Sequence, residues 1–78
     1  MGKKIADFPK VNISRIIWSN IRKTQYLNEL TDEQLANALD VSVRTLNNYD
    51  NCPCKLSLET IEKFINNTAT PFEMLIIV

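Results

Sequence analysis

The sequence predicts a small all-α domain of five helices, and three observations carry that expectation. Apolar residues recur at spacings of three and four, residues that cap helices stand just before those runs, and no stretch alternates apolar and polar side chains long enough to suggest a sheet. In the first helix, expected near residues 12 to 25, Ile13, Ile17 and Ile21 recur with Ile16 beside them. Asn12, Ser14, Arg15, Ser19, Arg22 and Lys23 occupy the rest of the wheel, and Trp18 lies at the edge of the apolar stripe. Thr31-Asp32-Glu33-Gln34 reads as a capping box: the Thr31 hydroxyl accepts from the Gln34 amide while the Gln34 side chain returns to the Thr31 amide. The second helix starts there and buries Leu35, Ala36 and Leu39.

Asp40-Val41-Ser42 breaks the pattern, and Ser42 caps a third short helix over residues 43 to 50. The expected outcome is helix, tight turn, helix. Ser57 caps a fourth helix with Leu58, Ile61, Phe64 and Ile65 inward. Thr70-Pro71-Phe72-Glu73 offers a further capping box, with Pro at the first position of a fifth helix about one to one and a half turns long. The closing Leu75-Ile76-Ile77-Val78 is β-branched and also compatible with extended backbone.

With 78 residues, 45% hydrophobic and 23% charged, the chain reads as one domain. Residues 1 to 10 are expected to form a flexible basic arm, and residues 11 to 78 a single helical domain with an apolar tail. The longest apolar runs, Ile16-Ile17-Trp18 and Met74 to Val78, are far short of the roughly 20 residues that span a bilayer. No signal-peptide apolar region follows the basic start, so a cytoplasmic protein is expected. The absence of His removes the commonest general base, no nucleophile motif surrounds any Ser or Cys, and a single Gly excludes phosphate-cradling loops. An enzyme is not expected, nor a cofactor or small-molecule ligand. Cys52-Pro53-Cys54 cannot complete a four-ligand metal shell, and two reduced loop thiols are the simplest reading, with an intersubunit disulfide or shared metal as alternatives.

The zero net charge hides an asymmetry. Residues 1 to 23 carry six basic side chains and one acid, whereas residues 24 to 78 carry three against eight. The whole-chain balance argues mildly against a nucleic-acid partner, while the split leaves room for a local positive surface.

The segment Leu30 to Asn51, "LTDEQLANALDVSVRTLNNYDN", closely resembles the Cro/repressor-like helix-turn-helix family, also called the XRE family, and the likeness extends over roughly residues 12 to 76. Ala36 matches the small residue at which two helices cross closely, Val41 the turn hydrophobe, and Leu46 and Tyr49 the core side of the recognition helix. The resemblance implies a compact lambda-repressor-like DNA-binding fold of five helices. On the wheel, the side of the third helix opposite Leu46 and Tyr49 presents Arg44, Asn47, Asn48 and Asn51. Arg can take both acceptors of a guanine and Asn can pair with adenine, each worth about 1 to 3 kcal/mol of discrimination. By resemblance, base contacts come from Ser42, Val43, Arg44, Asn47 and Asn48, with Val43 suited to a thymine methyl. Candidate phosphate contacts are Thr45, Asn51, Lys55, Arg22 and Lys23, aided by Lys3, Lys4 and Lys10 of the arm; Ser42 and Thr45 are equally explained as helix-start residues.

Three departures from the family pattern stand out. Asp32 replaces a Gln that often approaches a phosphate, and its carboxylate repels the DNA backbone. Asp40 replaces the turn Gly, but Asp tolerates the left-handed conformation better than most residues. The first-helix Arg that in many relatives pairs with a Glu ending the third helix is matched by Gln25, facing Asp50, so a neutral hydrogen bond is expected there. The resulting expectation is a sequence-specific transcriptional regulator of phage or mobile-element type that binds double-stranded DNA as a homodimer through Phe72, Leu75, Ile76, Ile77 and Val78. A protein-binding adaptor that kept the fold without DNA, or an antitoxin-type regulator, is the alternative.

Overall fold

The structure, a computed structural model, describes residues 12–77. Four α-helices run in the order α1 (Ile13–Leu27), α2 (Asp32–Leu39), α3 (Val43–Asn51) and α4 (Leu58–Thr68), with 3-10 turns at Pro53–Lys55 and Phe72–Leu75. The expected arm, residues 1 to 10, and Val78 lie outside the described residues.

Helix starts follow the local chemistry of the sequence. Asn12 Oδ1 accepts from the Arg15 amide at 3.0 Å, and the reciprocal capping box forms at α2, with Gln34 N–H donating to Thr31 Oγ1 and Thr31 N–H donating to Gln34 Oε1. Ser42 and Ser57 cap α3 and α4 by accepting from the Thr45 and Thr60 amides. Helix ends are less usual. The sole Gly lies at position 2, so the left-handed positions that close helices fall to other residues: Glu29 (φ 55°), Asp40 (φ 60°) and Ala69 (φ 56°). At Asp40 this conformation is the one expected of the turn, and Val41 N–H donates back to Ala36 O at 2.9 Å.

One core joins all four helices: Ile17, Trp18 and Ile21 from α1, Leu35, Ala36 and Leu39 from α2, Leu46 and Tyr49 from α3, Ile61 and Phe64 from α4. Ala36, 3% exposed, lets α2 and α3 approach closely. Two contacts fasten α4 to the α2 end of the turn, Lys63 Nζ to Asp40 Oδ2 at 2.7 Å and Asn67 Nδ2 to Ala38 O at 2.9 Å.

The structure corrects several expectations. The fifth α-helix is a 3-10 turn, Phe72–Leu75, without a side-chain cap; the Thr70 hydroxyl pairs with that of Thr68 instead. So short a segment closes too few intrahelical bonds to offset the cost of nucleating an α-helix. Helix α1 continues to Leu27 and α3 to Asn51. Trp18 belongs to the core rather than its edge, while Ile13 and Leu58 point outward, Leu58 at 80% exposure. Leu75 is fully buried, because Asn20 Nδ2 donates to both Leu75 O (2.7 Å) and Ile77 O (2.8 Å) and draws the tail onto α1. It is therefore a core residue and no dimer contact; Phe72, Ile76 and Ile77 remain exposed. Cys52 and Cys54 are joined in a disulfide, not two separate thiols.

The buried end of the tail sets the expected cost of mutation. Leu75→Ala should destabilise by about 2 to 4 kcal/mol in urea unfolding, and Ile77→Ser by about 0.5 kcal/mol or less. Equal effects would mean that the tail is not docked this way. Ala69→Gly should raise stability by up to about 1 kcal/mol, relieving a left-handed Ala.

Candidate nucleic-acid interface

Helix α3 follows a turn of defined geometry, so the side it shows is set by which residues it buries. With Leu46 and Tyr49 inward, Ser42, Val43, Arg44, Asn47, Asn48 and Asn51 are exposed and Thr45 is half-buried. At 100° per residue, positions 44, 47, 48 and 51 share one side of the helix. No hydrogen bond or ion pair among the described residues engages the side chains of Arg44, Asn47, Asn48, Asn51 or Lys55. A face of donors and acceptors without internal partners can bind a polar edge without first giving up internal bonds. The Ser42 and Thr45 hydroxyls, by contrast, lie 2.9 Å apart and complete the helix start. Lys55 is exposed in the 3-10 turn directly after α3, where its amide donates to Cys52 O.

Beside this face sits an ionic cluster built around Arg22. Its Nε and Nη2 donate to the two carboxylate oxygens of Asp50 at 3.2 and 2.8 Å, and Nη1 donates to Asp32 Oδ1 at 3.0 Å and to Gln25 Oε1 at 2.6 Å. Gln25 Nε2 donates to Asp32 Oδ1 at 2.8 Å, and Trp18 Nε1–H donates to Asp50 Oδ1 at 2.7 Å. The guanidinium also lies 5.3 Å from the Trp18 ring, which packs in a T-shaped arrangement with Tyr49 of α3.

These contacts revise the reading of the first helix. The ion pair between α1 and the end of α3 is present, made by Arg22, and Gln25 serves Arg22 and Asp32. Arg22, expected to be free for a phosphate, is instead engaged by two carboxylates. Trp18, Arg22 and Gln25 are spaced four and three residues apart, one continuous stripe of α1. That stripe was a signal in the sequence that the polar character of Arg22 and Gln25 concealed. Lys23 lines a groove of about 290 Å³ with Leu27, Met74 and Ile77, on a different side of α1 from Arg22, and is not brought to α3.

The charges shift accordingly. Arg22 beside it, with the Trp18 indole, holds the Asp50 carboxyl below its ordinary range. Asp32 is lowered by hydrogen bonds from Gln25 and Arg22, and Arg22 is raised chiefly by Asp50. Among the described residues, no group of three or more His, Cys, Asp or Glu side chains could hold a metal, and no helix is long and apolar enough to cross a membrane. Comparison with protein-family models, curated proteins and solved structures finds no match for the chain.

Because the Asp50 carboxyl titrates below its unfolded value, its contribution to stability is complete above the ordinary carboxylate range and is lost as pH falls through the lowered one. Asp50→Asn should therefore lower the urea midpoint at neutral pH and flatten its decline between about pH 5 and pH 2. A decline as steep as that of the unaltered chain would show that the pair contributes nothing to acid sensitivity.

Proposed function

We propose that the chain is a sequence-specific DNA-binding regulator of the Cro/repressor type, with a lambda-repressor-like fold in which α2 and α3 form the helix-turn-helix. The observation that carries this reading is the outer side of α3: Val43, Arg44, Asn47, Asn48 and Asn51 are exposed, held by a capped helix start and by two buried anchors, Leu46 and Tyr49. These residue types match the hydrogen-bonding edges of the major groove, and an α-helix fits that groove.

Ser42, Val43, Arg44, Asn47 and Asn48 would read bases, while Asn51 and Lys55 would meet phosphates at the far end of the helix. Two copies are part of the proposal, since a module of this size covers about 600 to 1,000 Å² of DNA and gains affinity from paired half-sites. Phe72, Met74, Ile76 and Ile77 are exposed apolar residues of the tail available for that contact.

A second reading, a protein-binding adaptor, draws support from the Arg22 cluster. Asp32 stands at the first position of α2, half exposed, and engages a cation that phosphate would otherwise attract. On DNA this carboxylate acts as a brake. It weakens affinity on every sequence alike, because it opposes phosphate and touches no base.

Electrophoretic shift with DNA from around the gene's own promoter, at two salt concentrations, tests the proposal, and absence of a salt-sensitive shift would reject it. Arg44→Ala should weaken operator binding by about 1 to 3 kcal/mol and relax preference at one base pair; equal loss on random DNA would place Arg44 on phosphate only. Lys55→Ala should lower affinity on all sequences and reduce the salt slope by about one unit. Asp32→Gln should raise affinity without changing sequence preference, and no gain would favour the adaptor.

A further inference from the structure

The turn that ends α3 carries the only two cysteines of the chain. Cys52 is the C-terminal cap of α3, its N–H donating to Asn48 O at 2.8 Å, and it is half-buried. Pro53 is buried, and Cys54 and Lys55 are exposed. The Cα atoms of Cys52 and Cys54 lie 5.3 Å apart, within the range a disulfide spans, and the two sulfurs are bonded.

Two features make this bond dispensable to the fold. It closes a loop of three residues, where the constraint on the unfolded chain is smallest. The turn is also held without it, by Lys55 N–H to Cys52 O, Leu56 N–H to Pro53 O and the burial of Pro53 against its neighbours. The same domain can therefore exist with the pair open or closed. Access is asymmetric: Cys54 is open to an incoming thiol or disulfide, and Cys52 is near enough to resolve what forms there.

We propose that Cys52 and Cys54 are a thiol–disulfide exchange site for low-molecular-weight disulfides and thiols of the glutathione class, and that its state sets how firmly the turn bearing Lys55 is held against the end of α3. In oxidation the Cys54 thiolate attacks one sulfur of oxidised glutathione. That S–S bond breaks, a mixed disulfide forms on Cys54, and one glutathione thiolate leaves. The Cys52 thiolate then attacks the Cys54 sulfur, the intrachain bond forms, and the second glutathione thiolate leaves. The two protons lost by the cysteines pass through solvent to the two glutathione thiolates, and two electrons move from the protein to glutathione. Reduction is the reverse. Closing the ring removes freedom from Cys54 and Lys55 and leaves the packing of Leu46 and Tyr49 untouched. The consequence for DNA rests on the proposed DNA-binding function: a Lys55 held in place meets phosphate at lower entropic cost than a freer one.

The test takes the full chain through buffers of graded reduced-to-oxidised glutathione ratio. Free thiols are trapped with N-ethylmaleimide and counted by mass spectrometry, and amide NMR spectra are recorded for both end states. The proposal expects reversible interconversion of a dithiol and an intrachain disulfide, with amide shifts concentrated in residues 48 to 56 and in the part of α1 that packs on the turn, and no change in α4. The disulfide form should bind a random-sequence duplex of about 20 base pairs roughly threefold more tightly than the dithiol, with the steeper salt slope. The Cys52→Ser, Cys54→Ser double variant should behave as the dithiol in every buffer. Accumulation of a glutathione adduct or a disulfide-linked dimer, a pair that does not interconvert, identical amide spectra of the two forms, or equal duplex affinity would each overturn the proposal. If neither form binds duplex while the thiol count and amide shifts behave as expected, the exchange site stands and the DNA-binding function falls.

Discussion

One guanidinium ties α3 to the two helices before it. Arg22 of α1 reaches Asp50 near the end of α3 and Asp32 at the start of α2, so a single planar fork ties three helices together at one edge of the core. Exposed ion pairs contribute little by themselves, and these carboxylates remain partly wet. What distinguishes this cluster is its surroundings. Asp50 also accepts from the buried Trp18 indole, whose ring packs on Tyr49, and Gln25 is buried with both ends of its amide bonded. Each polar group completes another, and no buried side-chain N or O atom among the described residues is left without a partner. Removing the guanidinium would strand several of them, which costs more than the pair alone contributes.

That cluster and the proposed binding face compete for charge. The arrangement that holds α3 in place engages Arg22 with carboxylates, and among the described residues it leaves Arg44 and Lys55 as the cations on and next to the exposed side of α3. The turn after α3 then matters more than its length suggests, since Lys55 is the cation closest in sequence to the end of α3, and the disulfide lies on its N-terminal side.

Local chemistry was legible in the sequence wherever it involved residues a few positions apart. The caps at Thr31, Ser42 and Ser57 and the inward Leu35, Ala36, Leu39, Leu46, Ile61 and Phe64 all follow from spacing and side-chain type, because a helix makes its hydrogen bonds and its faces from neighbours in the chain, while the left-handed Asp40 came from the resemblance. The exposed face of α3 was legible for the same reason: it is what remains when Leu46 and Tyr49 are buried.

What depended on residues far apart in the chain was decided by tertiary structure alone. Whether Arg22 faced solvent or Asp50, 28 positions away, could not be read from α1, where an Arg on the polar side of a helix is ordinary. The tail was equally ambiguous: four large apolar residues suit a partner's surface as well as this chain's own core, and only the amide of Asn20, 55 positions before Leu75, chose the core for that residue. The expected fifth helix became a 3-10 turn, too short to offset the cost of nucleating an α-helix, and the Thr70 hydroxyl pairs with Thr68. The sequence alone determined the helices and the turn between α2 and α3, since those rest on short-range bonds; the packing of distant segments determined which charges are occupied and which apolar residues are hidden, since burial is a property of the assembled core.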